Sequence, residues 1–417
     1  MDSFDVAFYA SKYSGHTKVA RLQFIADVAA KANEAKLKED AHALALQELK
    51  SGTNVELYQK VAKEAGVEVD KAHVEAVTKK TQQTLERLEV ELNTCKANLV
   101  KENIRVGHND LGAFHFKKGD LNSALKCFVR GRDYCATNKH VVDMCLNVIR
   151  VSVQLGNFMH VSNHVSKAEQ VLQTADTQED SSVQSALKVS AGLAHLDSAK
   201  YKLAARKFLE CKPKLGSTFN EVIHSTDVAV YAALCALATF DRDELKKRVV
   251  DNQAFKGFLE FEPLIRDCIL DFYNCRYAGC LAFLDKFKPS LTLDIHLFDH
   301  VDHLYTKIRQ RALIQYFSPY TSVNLHTMAA AFNTPVDALE KEMASLIMDG
   351  QISARIDSHN KTVFARHADE RNATFKKALV LGQSYIRDSK ATLLRMSLIK
   401  HGLTVRSEPM TMRTDSS

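Results

Sequence analysis

The sequence predicts a mainly α fold: a right-handed, tetratricopeptide-like helical-repeat solenoid, then a winged-helix subdomain, then a C-terminal helix. Three observations carry that reading. All six prolines stand at Pro213 or later, so no strong helix breaker interrupts the first 212 residues, where Ala, Leu, Lys, Glu and Gln dominate. Small residues recur inside helical stripes at the spacing of paired helices. Near the C-terminus, three amphipathic stripes give way to period-two alternation.

Residues 1–104 read as an N-terminal helical region, with an irregular linker from Glu64 to Thr84. Repeats are expected over 105–302. Leu111, Gly112, Gly119, Ala124 and Phe128 have the spacing of a helical hairpin in which small residues let two helices approach. Gly156 with Val161, Val165 and Ala168 is a degenerate copy, and Gly192 with Ala199, Ala204 and Phe208 is another. Tyr273, Tyr277, Cys280, Phe283 and Leu284 suggest a further hairpin, running through Leu291 to Leu297 into the winged helix. One such hairpin cannot bury its apolar face alone, so several in succession imply stacking.

A winged helix is expected over 303–368. Leu304, Ile308 and Ala312, with Tyr305, Leu313 and Tyr316, form a helical stripe that stops at Ser318-Pro319. A polar run from Tyr320 to Val323 leads to Asn324 as N-cap of a second helix, whose buried face is Leu325, Met328, Ala329 and Phe332. Thr334 is expected to cap the third, with Pro335 in the first helical position, Asp337 at capping-box distance and Gly350 at the stop. Ile352, Ala354 and Ile356 then alternate with polar residues, and after Ser358 to Lys361 a second strand runs from Thr362 to Arg366. This hairpin offers an edge that another chain can extend by backbone pairing, with Arg355, Thr362, Val363 and Phe364 as the expected contacts.

The end of the chain carries its charge asymmetry. From Arg371 onward, nine Lys or Arg residues face only Asp388, Glu408 and Asp415, a net of +6 that equals the formal charge of the whole chain. Phe375, Leu379, Ile386, Leu393, Met396 and Leu403 make an interrupted apolar stripe there. Residues 369–405 therefore read as a helix that packs on a partner through Leu379, Ile386, Leu393 and Met396, and 406–417 as a disordered tail. A basic surface for nucleic acid or an acidic partner is the competing reading of this segment.

Several function classes are disfavoured. A composition of 46% hydrophobic and 25% charged residues is that of an ordinary soluble globular chain. No apolar run approaches a membrane span, and the N-terminus, with Asp2 and Asp5, has no basic signal region. Nine cysteines without a Cys-x-x-Cys pair fit free thiols in a reducing compartment. His296, His300 and His303 fall at offsets that a helix would bring to one face, but with only Asp294, Asp299 and Asp302 flanking them they read as polar surface at the joint between repeats and winged helix, and His160 with His164 likewise. No metal or cofactor site is expected. A helix-turn-helix is often a DNA reader, yet between Val336 and Asp349 four acidic residues face Lys341 alone, which phosphates would repel.

At the junction the residues are specific. Leu304-Tyr-Thr-Lys-Ile-Arg-Gln-Arg-Ala-Leu-Ile-Gln-Tyr-Phe317, after a helical repeat, resembles the PCI domain shared by the proteasome lid, the signalosome and a translation initiation factor. Within that group, Tyr316-Phe-Ser-Pro-Tyr320, Met328-Ala-Ala-Ala-Phe-Asn333 and Ile352 to Lys361 are similar to the subunit 1 family of the signalosome, as are Asn109 to Cys135 and Tyr9 to Ala26. The resemblance implies a scaffold of a complex that removes a ubiquitin-like modifier from the cullins of RING ubiquitin ligases, in cytoplasm and nucleus. It also implies a bundle assembled from the C-terminal helices of all the subunits. Hydrolysis in that complex belongs to a different subunit with a zinc metalloprotease motif. Here there is no His-x-His-Pro with a following Ser and Asp, no His-Glu-x-x-His, no phosphate loop and no Gly-x-Ser-x-Gly elbow, so no enzyme is expected. The proteasome-lid paralogue and a winged-helix nucleic-acid binder are the alternatives.

Overall fold

The computed structural model describes residues 4–174, 181–212, 221–366 and 370–403. Two compact units divide the chain, one of residues 1–319 with 326–342 and the other of 320–325 with 343–417. The expected tail at 406–417 lies outside the described residues.

The first unit opens with α1 (Val6–Ser11), α2 (Gly15–Lys31), α3 (Ala35–Ser51) and α4 (Val55–Ala65). The Asp5 and Asn54 carboxyl and amide oxygens accept the Phe8 and Leu57 amides, so α1 and α4 begin where free N–H groups find side-chain acceptors. Val19, Leu22, Ile25, Leu46, Leu49 and Val61 belong to a core these helices share. Gly66, at φ +67°, ends α4, and Asp70 caps α5 (Lys71–Ala97), a helix of 27 residues. The expected linker at Glu64 to Thr84 is thus mostly helix. Its polarity reflects a solvated helix face, since only Thr81 and Leu92 of α5 are buried.

Three helical hairpins come next: α6 (Lys101–Lys118) with α7 (Leu121–Gly131), α8 (Asn138–Gln154) with α9 (Phe158–Thr174), and α10 (Ser181–Asp197) with α11 (Tyr201–Leu209). Gly119 takes φ +94° to stop α6, and the Asp120 carboxylate caps α7 through the Ser123 amide at 3.1 Å. In the first and third hairpins a buried ring lies flat against a glycine. A β-carbon at Gly112 would stand 2.7 Å from Phe128, and one at Gly192 would stand 2.5 Å from Phe208. The spacing that predicted these hairpins is therefore a packing requirement.

Helix α12 (Ser225–Thr239) is buried on all sides, which its almost uninterrupted apolar sequence requires. After α13 (Arg242–Leu245), a π turn at Lys246–Val250, and α14 (Gln253–Leu259), the pair α15 (Pro263–Tyr273) and α16 (Tyr277–Leu291) leads to α17 (Val301–Phe317). The domain boundary drawn between residues 104 and 105 falls inside α6, and the one between 302 and 303 inside α17, because both helices start a few residues earlier.

The winged-helix order is completed by β1 (Ser322–Asn324), α18 (Leu325–Phe332), α19 (Val336–Met348), β2 (Ala354–Asp357) and β3 (Thr362–Ala365), and α20 (Glu370–Lys400) ends the described helices. Tyr277 stacks on Phe332 at 5.2 Å and Tyr316 meets the same ring edge-on at 5.6 Å, tying α16, α17 and α18 together. The expected buried faces of α18 and α19 are found, with Leu325, Met328, Leu339 and Met343 fully enclosed. Two local expectations change. The Thr334 hydroxyl is buried without a hydrogen-bond partner, so it does not supply the cap of α19. Residues Ser322 to Asn324, expected to be a polar run and a cap, form a strand, so the hairpin becomes a three-stranded antiparallel sheet.

Candidate assembly surface

The strand order is β1-β3-β2, which places β3 in the middle. Val363 pairs with Val323 on one side and with Ile356 on the other, and Thr362 and Phe364 are likewise opposed on both sides. The expectation that Thr362, Val363 and Phe364 dock a partner by backbone pairing is therefore corrected. Their N–H and C=O groups are already used in two ladders. The open edges belong to β1 and to β2, the strand that carries Arg355.

Hydrogen bonding shows which groups of β2 are free to pair. The Arg366 amide donates to the Ser353 carbonyl at 2.8 Å, so Ser353, Arg355 and Asp357 hold the bonded positions against β3. By antiparallel alternation, the backbone groups of Ala354 and Ile356 point to the open side. The side chains divide differently. Val323 and Val363 are buried, whereas Ser322, Phe364 and Arg355 form an exposed row across the sheet. At its end the β2–β3 turn is pinned by the Asp357 carboxylate, which accepts the His359 and Asn360 amides at 3.1 and 3.2 Å. The Asn360 amide and side chain, and then the His359 amide, hold that carboxyl below its ordinary range.

Helix α20 supplies the larger surface. Its 31 residues rise about 46 Å at about 1.5 Å each. Nearly every large apolar side chain on it is exposed: Leu379 50%, Ile386 54%, Leu393 65% and Met396 63%. Phe375, Leu379, Gly382, Ile386, Ser389, Leu393 and Met396 succeed one another at alternating steps of four and three residues, the spacing of a helix that packs along another helix. Lys376, Lys377, Arg387, Lys390 and Arg395 fill positions around that stripe.

On the acidic helix α19, Glu342 accepts a hydrogen bond from Arg309 of α17 at 2.8 Å, and Asp337 and Glu340 stand on the same helix beside Lys341. The histidine sets are placed otherwise than a shared helical face requires. His296 lies in the turn before α17, His300 is the residue that precedes the helix and meets the Tyr201 hydroxyl at 3.2 Å, and only His303 is helical. His160 and His164 do sit one turn apart on α9, with ring centroids at 4.6 Å. Burial and then the neighbouring His160 push His164 down to about 4. Among the described residues no three His, Cys, Asp or Glu side chains are grouped to hold a metal ion, and no helix is long and apolar enough to cross a membrane.

Sequence reading missed β1, because three residues show no alternation, and it missed a buried charge cluster. Arg21 of α2 pairs with Asp294 at 2.7 Å and Asp227 at 3.2 Å. A charged residue on an otherwise apolar helical face was the one signal available.

Residues 70–248 match the family model of 26S proteasome subunit RPN7, and residues 284–367 match that of the PCI domain. The COP9 signalosome complex subunit 1 of Arabidopsis thaliana is 49% identical over 97% of this chain and 91% of its own length. Subunit 1b of the same complex in Drosophila melanogaster is 49% identical over 81% of this chain and 65% of its own. The 26S proteasome non-ATPase regulatory subunit 6 of Oryza sativa is 23% identical over 83% of this chain and 87% of its own length.

Proposed function

This chain belongs to the COP9 signalosome complex subunit 1 family, and from that premise we propose that it is a non-catalytic scaffold subunit of a signalosome, holding neighbouring PCI subunits through the open edge of its winged-helix sheet and through α20. The complex would act on cullin-RING ubiquitin ligases, removing a ubiquitin-like modifier, with the hydrolysis performed by another subunit. It would work in cytoplasm and nucleus.

The observation that carries this reading is α20. A 31-residue helix with an apolar stripe left in water is a partner surface without its partner. Its four-three spacing asks for other helices, as in a bundle. The β2 edge adds a second, directional contact through the backbone groups of Ala354 and Ile356. The proteasome-lid reading has less support, since that relative shares 23% identity against 49% for the signalosome subunit of Arabidopsis thaliana. Acidic residues on α19 speak against groove reading.

Purification of the tagged chain from its native cell tests the proposal. Recovery with other PCI subunits and a zinc metalloprotease subunit is expected. The isolated chain should show no deneddylase or peptidase activity, with or without added zinc. Turnover by the isolated chain that disappears on mutating one of its own residues would overturn the scaffold reading.

A further inference from the structure

The N-terminal helices join the repeats through a joint that holds a buried charge cluster. Helices α1–α4 supply all the buried residues of one core except Leu293, which comes from the turn before α17. Where α2 meets α12 and that turn, the Phe24 and Phe298 rings touch at 5.5 Å beside the charge cluster. Arg21, 1% exposed, sends one nitrogen to Asp294 at 2.7 Å and the other to Asp227 at 3.2 Å. The Tyr13 hydroxyl donates to Asp227 at 2.6 Å, the Tyr231 hydroxyl donates to Asp294 at 2.6 Å, and the Tyr9 hydroxyl accepts from Arg21 at 2.5 Å. The guanidinium also lies over the Tyr13 ring at 4.2 Å.

Three properties of this joint point the same way. A buried ion pair fixes geometry while adding little net stability over apolar packing, because both partners lose their water. The joint is also imperfectly satisfied, since Arg21 Nε is buried with no hydrogen-bond partner. Lastly, the chain passes from the arm into α5 through a short turn that begins at Gly66, whose φ of +67° is one that glycine adopts freely, and beyond it the Tyr58 and His73 rings meet at 6.3 Å. A core drawn almost wholly from α1–α4, a buried ion pair at the joint and a glycine turn are the parts of a docked module.

We propose that α1–α4 form a latch, closed by insertion of Arg21 into a socket built from Asp227, Asp294 and Tyr231, and able to open as a unit while the repeats stay folded. Opening uncovers two carboxylates and a tyrosine hydroxyl, a donor and acceptor set suited to a guanidinium. The latch does not depend on how the chain assembles with others.

Native-state hydrogen exchange on the full chain tests this without any variant. The amides of α2 and α3 should exchange through a shared opening at least tenfold more often than those of α10 and α12. Arg21→Ala should speed α2 and α3 at least a further tenfold and leave α10 protected. Millimolar methylguanidinium should then restore protection in Arg21→Ala where sodium chloride of equal ionic strength does not. One common opening for α2, α3 and α12 in the wild type would overturn the proposal, and so would equal effects of the two salts. If Arg21→Ala fails to fold, the wild-type measurement still decides between latch and single unit.

Discussion

Phe208 lies so close over Gly192 that a β-carbon added to the glycine would stand 2.5 Å from Cε1 of the ring. The ring is fully buried on α11, so any shift it makes must displace packed neighbours. Gly192→Ala should therefore destabilise the first unit even though alanine favours a helix by about 1 kcal/mol. Overpacking of a filled core costs about 1–3 kcal/mol, so a net loss of about 1 kcal/mol is expected in urea unfolding. Phe208→Leu in the Gly192→Ala background should recover part of it. If the alanine variant is as stable as wild type, the ring and the glycine are not in the tight contact described.

The repeats and the winged helix were legible because their signals are local. Gly112 with Phe128, and Gly192 with Phe208, are each sixteen residues apart, within one hairpin, and the stripes of α18 and α19 are read within a few turns. The sheet order was not legible. β1 has only three residues, and whether a short polar run pairs depends on β3 arriving some forty residues later. Arg21 was invisible for a stronger reason, since its partners lie 206 and 273 positions along the chain. Pattern within a helix says which face is buried; it does not say what waits there.

His296 should give the protein a measurable acid sensitivity. Burial, and then the Arg21 guanidinium, press this imidazole down to about 4, against the Asp294 carboxylate that pulls it up. In the unfolded chain its ordinary value is about 6.5. Between those values the unfolded chain binds a proton that the folded one refuses, so stability is full at neutral pH and falls as the pH drops from about 6.5 toward about 4. The loss at pH 5 should be about 2 kcal/mol. His296→Gln should flatten that part of the stability profile in chemical unfolding at pH 7 and pH 5. An unchanged slope would mean that other groups, His164 among them, account for it.

The two strands of the wing make opposite predictions for proline. Val363 is central and fully buried, its backbone committed to β1, so Val363→Pro should unfold the wing at a cost of at least about 1–3 kcal/mol whether or not a partner docks there. Ala354 presents its N–H to the open edge, so proline there spares the ladder to β3 and removes a group that a partner would use, at the cost of placing a larger ring where the alanine side chain is buried. Ala354→Pro should leave the isolated chain's near-ultraviolet circular dichroism intact and weaken association with neighbouring PCI subunits about tenfold. Wild-type affinity in that variant would move the docking edge from β2 to β1.

Helix α20 separates apolar from electrostatic assembly. Leu379, Ile386 and Leu393 lie on one stripe in water, and each contributes about 1.5–3 kcal/mol when buried. Replacing all three by Asp removes enough to weaken assembly by at least about a hundredfold, while the unburied helix leaves the fold of the isolated chain unaffected. A chain ending at Arg371 should behave in the same way. The contrasting variant keeps the stripe and reverses Lys376, Lys377, Arg387 and Lys390 to Glu. Charges on a solvated helix are screened over about 8 Å at physiological salt, so this variant should assemble with slower association and near-normal final affinity. Size-exclusion chromatography with partner subunits, combined with association kinetics at two salt concentrations, reads both effects. If the charge-reversed chain fails to assemble and the triple-Asp chain assembles as wild type, α20 meets an acidic surface through its lysines and arginines, and the helix-bundle contact has to be given up.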